Sequence, residues 1–425
     1  MLRYLVNSRF LGAATLVLAS VACSSEDPVP PGNGVAGSFV GGSAGSAGMA
    51  SGGSAGAATA GSSSVGGGGG GAGGGGAGGS GTGGGGAGGM PNLEPKLLSE
   101  TGLYTDVKAQ TLAPGVYAFE PQYALWSDSA VKRRWVYMPP GGKIVTDGSS
   151  NGMEYWRYPA GFKLWKDFSR DGVLIETRLL LKKGSGAADW YMVSYKWNAD
   201  RSDAVAVPDG EANAMGTQHD IPSQKGCTGC HTAMVDNALG FTALQLSHNK
   251  PGSMTLAQAD SLGWFTTSPS AGGYTLPGND TQKQALGYLH SNCGMCHNDS
   301  GKIYNTAALD LWTHLDQIQT VETTRAYLSM VCDEWPGEGI GAKMDPIKAC
   351  NPGHATGAAL ETDISSKAKR IVPKAPMESG LRELMALRVV GAGEDAAQMP
   401  PLGTEMPDAT GLGQLDAWIN ALPTP

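Results

Sequence analysis

Between about Val107 and Ala206 the pattern of apolar and polar positions is strand-like. The runs VKRRWVYMP, MEYWRYPAGFKLWKDF, GVLIETRLLLKK and DWYMVSYKWNAD are rich in β-branched and aromatic residues. Gly, Pro, Asp and Ser separate them, which predicts strands joined by turns. In YMVSYKWN, Tyr191, Val193, Tyr195 and Trp197 fall on one face. Met192, Ser194, Lys196 and Asn198 fall on the other, the pattern of a half-buried antiparallel strand. GSGAAD predicts a hairpin joining Leu181 to Trp190. Together these predict an antiparallel β-domain over 91–212, a sandwich or small barrel. Its aromatic side chains read first as core and second as the lining of a small-molecule site.

From about His219 the period changes. TLAQADSLGWF, TQKQALGYLHSN, ESGLRELMALRVV and DATGLGQLDAWINAL read as helices. In the last, Leu412, Leu415, Ile419 and Leu422 share a face, and Asp408 or Thr410 caps the start. The fold class expected is therefore β followed by α: an antiparallel β-domain, then a mainly helical region.

The first residues carry Arg3 and Arg9, then the apolar run LGAATLVLASVA, then Cys23. This is the pattern of a secretory signal over 1–22 ending at a lipidated Cys23. The apolar run falls short of the roughly 20 residues a spanning helix needs. Ser24 after the lipidated cysteine is compatible with the outer membrane, so the chain is expected to face the periplasm or cell surface from a lipid anchor. Over 23–90 the sequence is mostly Gly, Ser and Ala, and close to half of the 65 glycines lie there. Such a stretch is a flexible tether, and its glycine-rich part from Gly34 to about Gly89 has an r.m.s. reach of roughly 40 Å and a stretched limit of about 190 Å. A net charge of −8 argues against a nucleic-acid partner.

Export changes how the seven cysteines are read, because an oxidising compartment does not keep casual free thiols. Four of them form CTGCH, Cys227 to His231, and CGMCH, Cys293 to His297. Structural zinc commonly takes two close CxxC pairs, and these lie 66 positions apart. A redox-active CxxC disulfide normally sits near a βαβ pattern, which neither site shows. Haem accounts for every residue. Cys227 with Cys230, and Cys293 with Cys296, would each form two thioethers to one porphyrin, and His231 and His297 would bind the irons axially. Two c-type haems are expected, the first within 213–280 and the second within 281–425.

The second site resembles a cytochrome c domain. A helix from Gln282 to Asn292 leads into CGMCH, and Gly287 and Tyr288 suit a close helix crossing. QMPPLGTEMPD then precedes a last amphipathic helix. In that fold the first and last helices cross and a loop methionine caps the iron, which points to Met399, with Met406 as rival. For the first haem the distal candidates are His219, then His248 and Met254, or an open site. His290 could reach across to the first haem, but reads first as a surface helix position; His314 and His354 read as ordinary surface histidines. Cys332 and Cys350 flank a loop-rich insertion and are expected to pair, at about 3 kcal/mol for a loop of that size.

LWSDSAVKRRWVYMPPG, IETRLLL, YKWN, HDIPSQKGCTGCH, LGYLHSNCGMCH and QMPPLGTEMPD followed by LDAWI extend the likeness. From about Tyr117 to the end, the chain resembles a family of exported bacterial dihaem c-type cytochromes. The Gly-rich tether and the Cys332/Cys350 insertion depart from it. The resemblance implies electron transfer with redox partner proteins. The alternatives are a dihaem peroxidase-like enzyme with an open site at the first haem, or a ligand-binding β-domain fused to an electron relay. Replacing Cys23 is expected to abolish lipid attachment: in detergent phase partitioning, Cys23→Ala moves to the aqueous phase while wild type stays in the detergent phase.

Overall fold

The computed structural model describes residues 94–146, 153–299, 309–331, 369–388 and 398–423. Cys23, the Gly-rich tether, Cys332, Cys350 and His354 lie outside them.

Ten strands are described: β1 (Tyr104–Asp106), β2 (Thr111–Leu112), β3 (Val116–Ala118), β4 (Val131–Tyr137), β5 (Val145–Thr146), β6 (Trp156–Arg157), β7 (Lys163–Arg170), β8 (Val173–Lys182), β9 (Trp190–Trp197) and β10 (Ala204–Ala206). Six form one antiparallel sheet in the order β10-β9-β8-β7-β4-β3. The expected hairpin is present, with Leu181 opposite Tyr191 and Lys182 opposite Trp190.

Register divides the sheet into two faces, because side chains alternate along each strand. Trp135, Trp165, Leu179 and Val193 lie side by side on one face. They pack with Leu98, Leu103 and Tyr104 from the segment leading into the sheet. Val136, Leu164, Leu180 and Met192 form the matching row on the other face. This row joins a second core with Phe241, Leu286 and Trp418. The sheet is thus an open layer with helices on its second face, not a sandwich or barrel. For the same reason β9 is buried on both faces rather than half-buried: Met192 and Ser194 are covered as fully as Tyr195.

The described helices are α1 (Gln224–His231), α2 (Ala243–Leu246), α3 (Leu256–Ser261), α4 (Asp280–Asn292), α5 (Arg325–Val331), α6 (Gly380–Ala386) and α7 (Ala409–Ala421). Asn279 caps α4, accepting from Gln282 N–H, and Asp408 caps α7, accepting from Thr410 N–H. Helix α6 stops short of the predicted extent because Leu387 is extended. The Arg388 guanidinium takes up the Met385 carbonyl there. The core shared by sheet and helices runs from Phe119 to Leu422, across positions 212 and 280.

Helices α4 and α7 pack against each other, and two glycines set how closely. A Cβ on Gly411 of α7 would meet the Tyr288 ring at 2.2 Å. A Cβ on Gly287 of α4 would meet the Tyr123 ring at 2.1 Å. Gly287 therefore admits a tyrosine from the segment between β3 and β4, and the crossing with α7 is made by Tyr288 over Gly411. Gly413, on the same helix, has nothing within 4 Å of a built Cβ. In urea unfolding, Gly411→Ala is expected to destabilise by about 1–3 kcal/mol through overpacking. Gly413→Ala is expected to stabilise by about 1 kcal/mol through helix propensity.

Candidate functional site

CTGCH lies entirely on α1, whose start is capped by Ser223 accepting from Gly226 N–H at 3.1 Å. Positions i, i+3 and i+4 share a helix face, so Cys227, Cys230 and His231 point the same way. His231 Nδ1 lies 2.6 Å from the Asn237 carbonyl oxygen. A carbonyl only accepts, so Nδ1 carries the proton and Nε2 keeps its lone pair. Burial pushes His231 down to about 4, so the ring is neutral near pH 7.

Asn237 is itself held in place. It adopts φ +54°, and its side-chain amide donates to the Ala187 carbonyl in the β8–β9 turn at 3.1 Å. The neighbouring Asp236 carboxylate pairs with the fully buried Lys182. It also accepts from Trp190 Nε1–H at 2.9 Å and Tyr158 N–H at 2.7 Å. The sheet's hairpin thereby fixes the loop that orients His231.

CGMCH follows α4 directly, with Cys293 as its C-cap. His297 N–H donates to the Cys293 carbonyl at 2.9 Å, so this motif also spans one helical turn. A Cβ on Gly294 would lie 2.7 Å from the His290 carbonyl oxygen and 3.0 Å from Trp312 Cα, so only glycine fits. The His297 ring is buried, and its Nδ1 has no hydrogen-bond partner among the described residues. Burial pushes this histidine down to about 4. No disulfide joins Cys227 to Cys230 or Cys293 to Cys296. Burial pushes the Cys293 thiol up to about 12 and Cys296 to about 11, the second helped by Cys230 of the other motif.

The two motifs thus come close in space. Met234, three residues past His231, packs with Met295 of CGMCH, Trp312 and Cys296. Arg134, Lys166, Met234, His290, Met295 and Trp312 line one cleft. Leu402, in the loop before α7, lies against the first motif, 3.6 Å from a Cβ built on Gly229. The four motif cysteines do not converge on a shared zinc-type ligand set. Among the described residues, Asp299, Asp310 and His314 are the one group of three or more ligand-type side chains close enough for a single ion.

The distal candidates are placed as follows. His219 is buried and gives Nε2–H to Glu176 Oε1 at 2.7 Å. Burial alone would raise Glu176, but Arg178 and His219 outweigh it and hold the carboxylate at about 2. Both ring nitrogens of His248 are engaged, Nε2 with the Glu120 carbonyl at 2.7 Å and Nδ1 with Lys250 N–H at 3.1 Å. Met254 is buried in the core with Phe119 and Phe241. Met399 is half-buried, its N–H donating to the Leu384 carbonyl at 2.9 Å. Its rival Met406 is committed: the sulfur accepts from Arg170 at 3.3 Å.

Two histidines expected on the surface are buried. His290 is 2% exposed, its Nδ1 accepts Thr313 N–H at 3.1 Å, and its ring lies 4.2 Å from Trp312. The segment around Trp312 and Thr313 covers that part of α4. His314 sits between Glu154 at 2.5 Å from Nδ1 and Asp310 at 2.9 Å from Nε2. Two carboxylate partners require both ring protons. Burial would lower His314, but these bonds raise it to about 9. Arg325 donates to Asp310 at 3.1 Å and to Asp299 at 2.9 Å. A guanidinium and an imidazolium therefore already answer these carboxylates. Met234 was not singled out by sequence, where only its place three residues after His231 hinted at it.

No family model, curated protein or solved structure matches the chain, so the site is read from its own residues.

His314 supplies a pH test. Its folded value lies above the ordinary 6.5, so its contribution to stability is full below pH 6.5 and is lost as pH rises through about 9. Urea unfolding from pH 6 to 10 should show the stability gap between wild type and His314→Gln shrinking as pH rises. A gap independent of pH would mean that the ring is uncharged.

Proposed function

We propose that this chain is an exported, lipid-anchored electron-transfer protein carrying two covalently attached c-type haems. Cys227 and Cys230 would hold one with His231 as axial ligand, and Cys293 and Cys296 the other with His297. The observation that carries this reading is the state of His231. Its Nδ1 proton is fixed on the Asn237 carbonyl, and its neutral Nε2 shares a helix face with two thiols. Ligating histidines are characteristically oriented by such a bond through the other nitrogen. The residues of the second motif also fit. His297 is a buried imidazole without a ring partner at Nδ1, beside two uncharged thiols on the same turn.

Haem, when bound, supplies reversible one-electron chemistry. The chain's own contribution is to orient two imidazoles, to exclude water with Met234, Met295 and Trp312, and to bring the two motifs together. Met399 is retained as the proposed distal ligand of the second haem. Electrons would pass to and from redox partner proteins.

The commitments of His219, His248 and Met254 favour a second reading, a dihaem enzyme with an open position at the first haem. Among the aromatic residues of the sheet, Trp165, Tyr195 and Trp197 are buried core, whereas Trp190 and Tyr191 line a cavity with Lys96 and Lys183. A pyridine haemochrome assay of the exported protein should give two haems per chain, and one for the Cys227→Ala/Cys230→Ala double variant. Fewer than two in wild type would overturn the proposal. Carbon monoxide on the reduced protein should leave the spectrum unchanged if both irons are capped, and a shift would favour the enzyme reading.

A further inference from the structure

Three cations stand side by side on the helix-facing side of the sheet. Arg134 of β4 is directly opposite Lys166 of β7, and Lys166 is directly opposite Arg178 of β8. Directly opposed side chains start about 5 Å apart, and like charges so placed destabilise a sheet. The row lies next to the apolar row Val136, Leu164, Leu180 and Met192, so it is partly shut away from water.

Only Arg178 has a carboxylate at hydrogen-bond distance among the described residues, though the charge of Glu120 reaches Arg134 and that of Glu176 reaches Lys166. Arg178 donates to Glu176 Oε1 from Nε at 3.0 Å and from an Nη at 2.6 Å. Arg134 is 8% exposed, and neither it nor Lys166 has a salt-bridge partner among the described residues. Leaving buried cations unanswered is costly. Burial and neighbouring cations depress Lys166, and burial depresses Arg134 to about 10. Both line the cleft whose other walls are Met234, beyond the first motif, and His290, before the second. The charges of Arg178 and Lys166 also reach His231, and that of Arg178 reaches Cys227.

We propose that Arg134, Lys166 and Arg178 form a carboxylate-binding row, and that it takes the propionate carboxylates of the haem attached at Cys227 and Cys230. This inference rests on the dihaem reading. A guanidinium offers a planar fork to a carboxylate and an ammonium offers a compact charge, so together the row can answer two acidic groups on one ligand edge. The shared chemistry, an anionic carboxylate, could instead come from a free small acid in the same cleft.

The test uses the exported, haem-loaded full chain, dialysed free of small anions. Reduction potentials of both haems are measured in wild type, Arg134→Gln, Lys166→Gln and Arg134→Lys. Lys143→Gln, an exposed lysine donating to the Gly263 carbonyl, is the control. Removing a cation beside a propionate disfavours the reduced state, which carries one positive charge fewer. One haem should lose about tenfold in its reduction equilibrium in each Gln variant, 59 mV for a one-electron couple. Arg134→Lys should retain most of the wild-type value, and Lys143→Gln all of it.

Two attached haems with unmoved potentials in both Gln variants would overturn the inference while leaving the dihaem reading intact. Unmoved potentials together with succinate raising the Tm of wild type, but not of Arg134→Gln, would assign the row to a free acid and overturn the propionate source. Fewer than two haems in wild type would be failure of the dihaem reading itself. Should Arg134→Gln not accumulate, Lys166→Gln and Arg134→Lys decide the matter.

Discussion

The buried ion pair between Lys182 and Asp236 is the constraint on which the site depends. Lys182 ends β8 with its side chain fully covered, and its Nζ also donates to the Gly186 carbonyl at 2.8 Å. Asp236 accepts from Lys182, Trp190 and Tyr158 at once. A pair so completely satisfied contributes geometry more than net stability, because desolvation offsets much of its attraction. Here that geometry is transmitted one residue on. Asn237 is locked into a left-handed conformation between the β8–β9 turn and His231, so a sheet hairpin decides which nitrogen of a helix-borne histidine faces outward.

Much of the architecture was legible in the chain. Alternation in DWYMVSYKWNAD and the apolar, β-branched content of GVLIETRLLLKK gave the strands, and GSGAAD their hairpin, because strand pattern and turn chemistry are local properties. Asp408 announced the start of the last helix in the same local way. What covers the second face of a strand is not local, so β9 read as half-buried and the sheet as half of a sandwich. The histidines show the same limit. His290 and His314 looked like surface residues because their partners Thr313, Glu154 and Asp310 are defined only by the fold. His219 and His248 looked like ligands because they lie near CTGCH in sequence, yet Glu176 and the Glu120 carbonyl hold them. Gly287 and Tyr288 carried the right signal of close packing: Tyr288 makes the expected crossing with the last helix over Gly411, while Gly287 admits Tyr123 instead.

The helix-facing side of the sheet changes character along its strands. One row across it is Val136, Leu164, Leu180 and Met192; the next is Arg134, Lys166, Arg178 and Ser194; the next is Lys132, Phe168, Glu176 and Lys196. The apolar row anchors the helices, and Arg134 and Lys166 of the next row line the cleft between the motifs. Charges mounted on paired strands are held more rigidly than charges on loops, which suits a site that must present fixed fields to whatever it holds. The opposite face, dominated by Trp135, Trp165 and Trp197, gives that platform its stiffness.

The last described helix seals the core. Trp418 and Ile419 are fully buried against residues contributed from as far back as Phe119, and Tyr288 closes over Gly411. Contacts so distant in sequence form late, since the intervening loop must close first. A growing polypeptide that has not yet produced α7 lacks the helix that packs on α4, immediately before CGMCH. The order of synthesis therefore leaves an interval in which the CGMCH turn exists without the helix that later packs on α4.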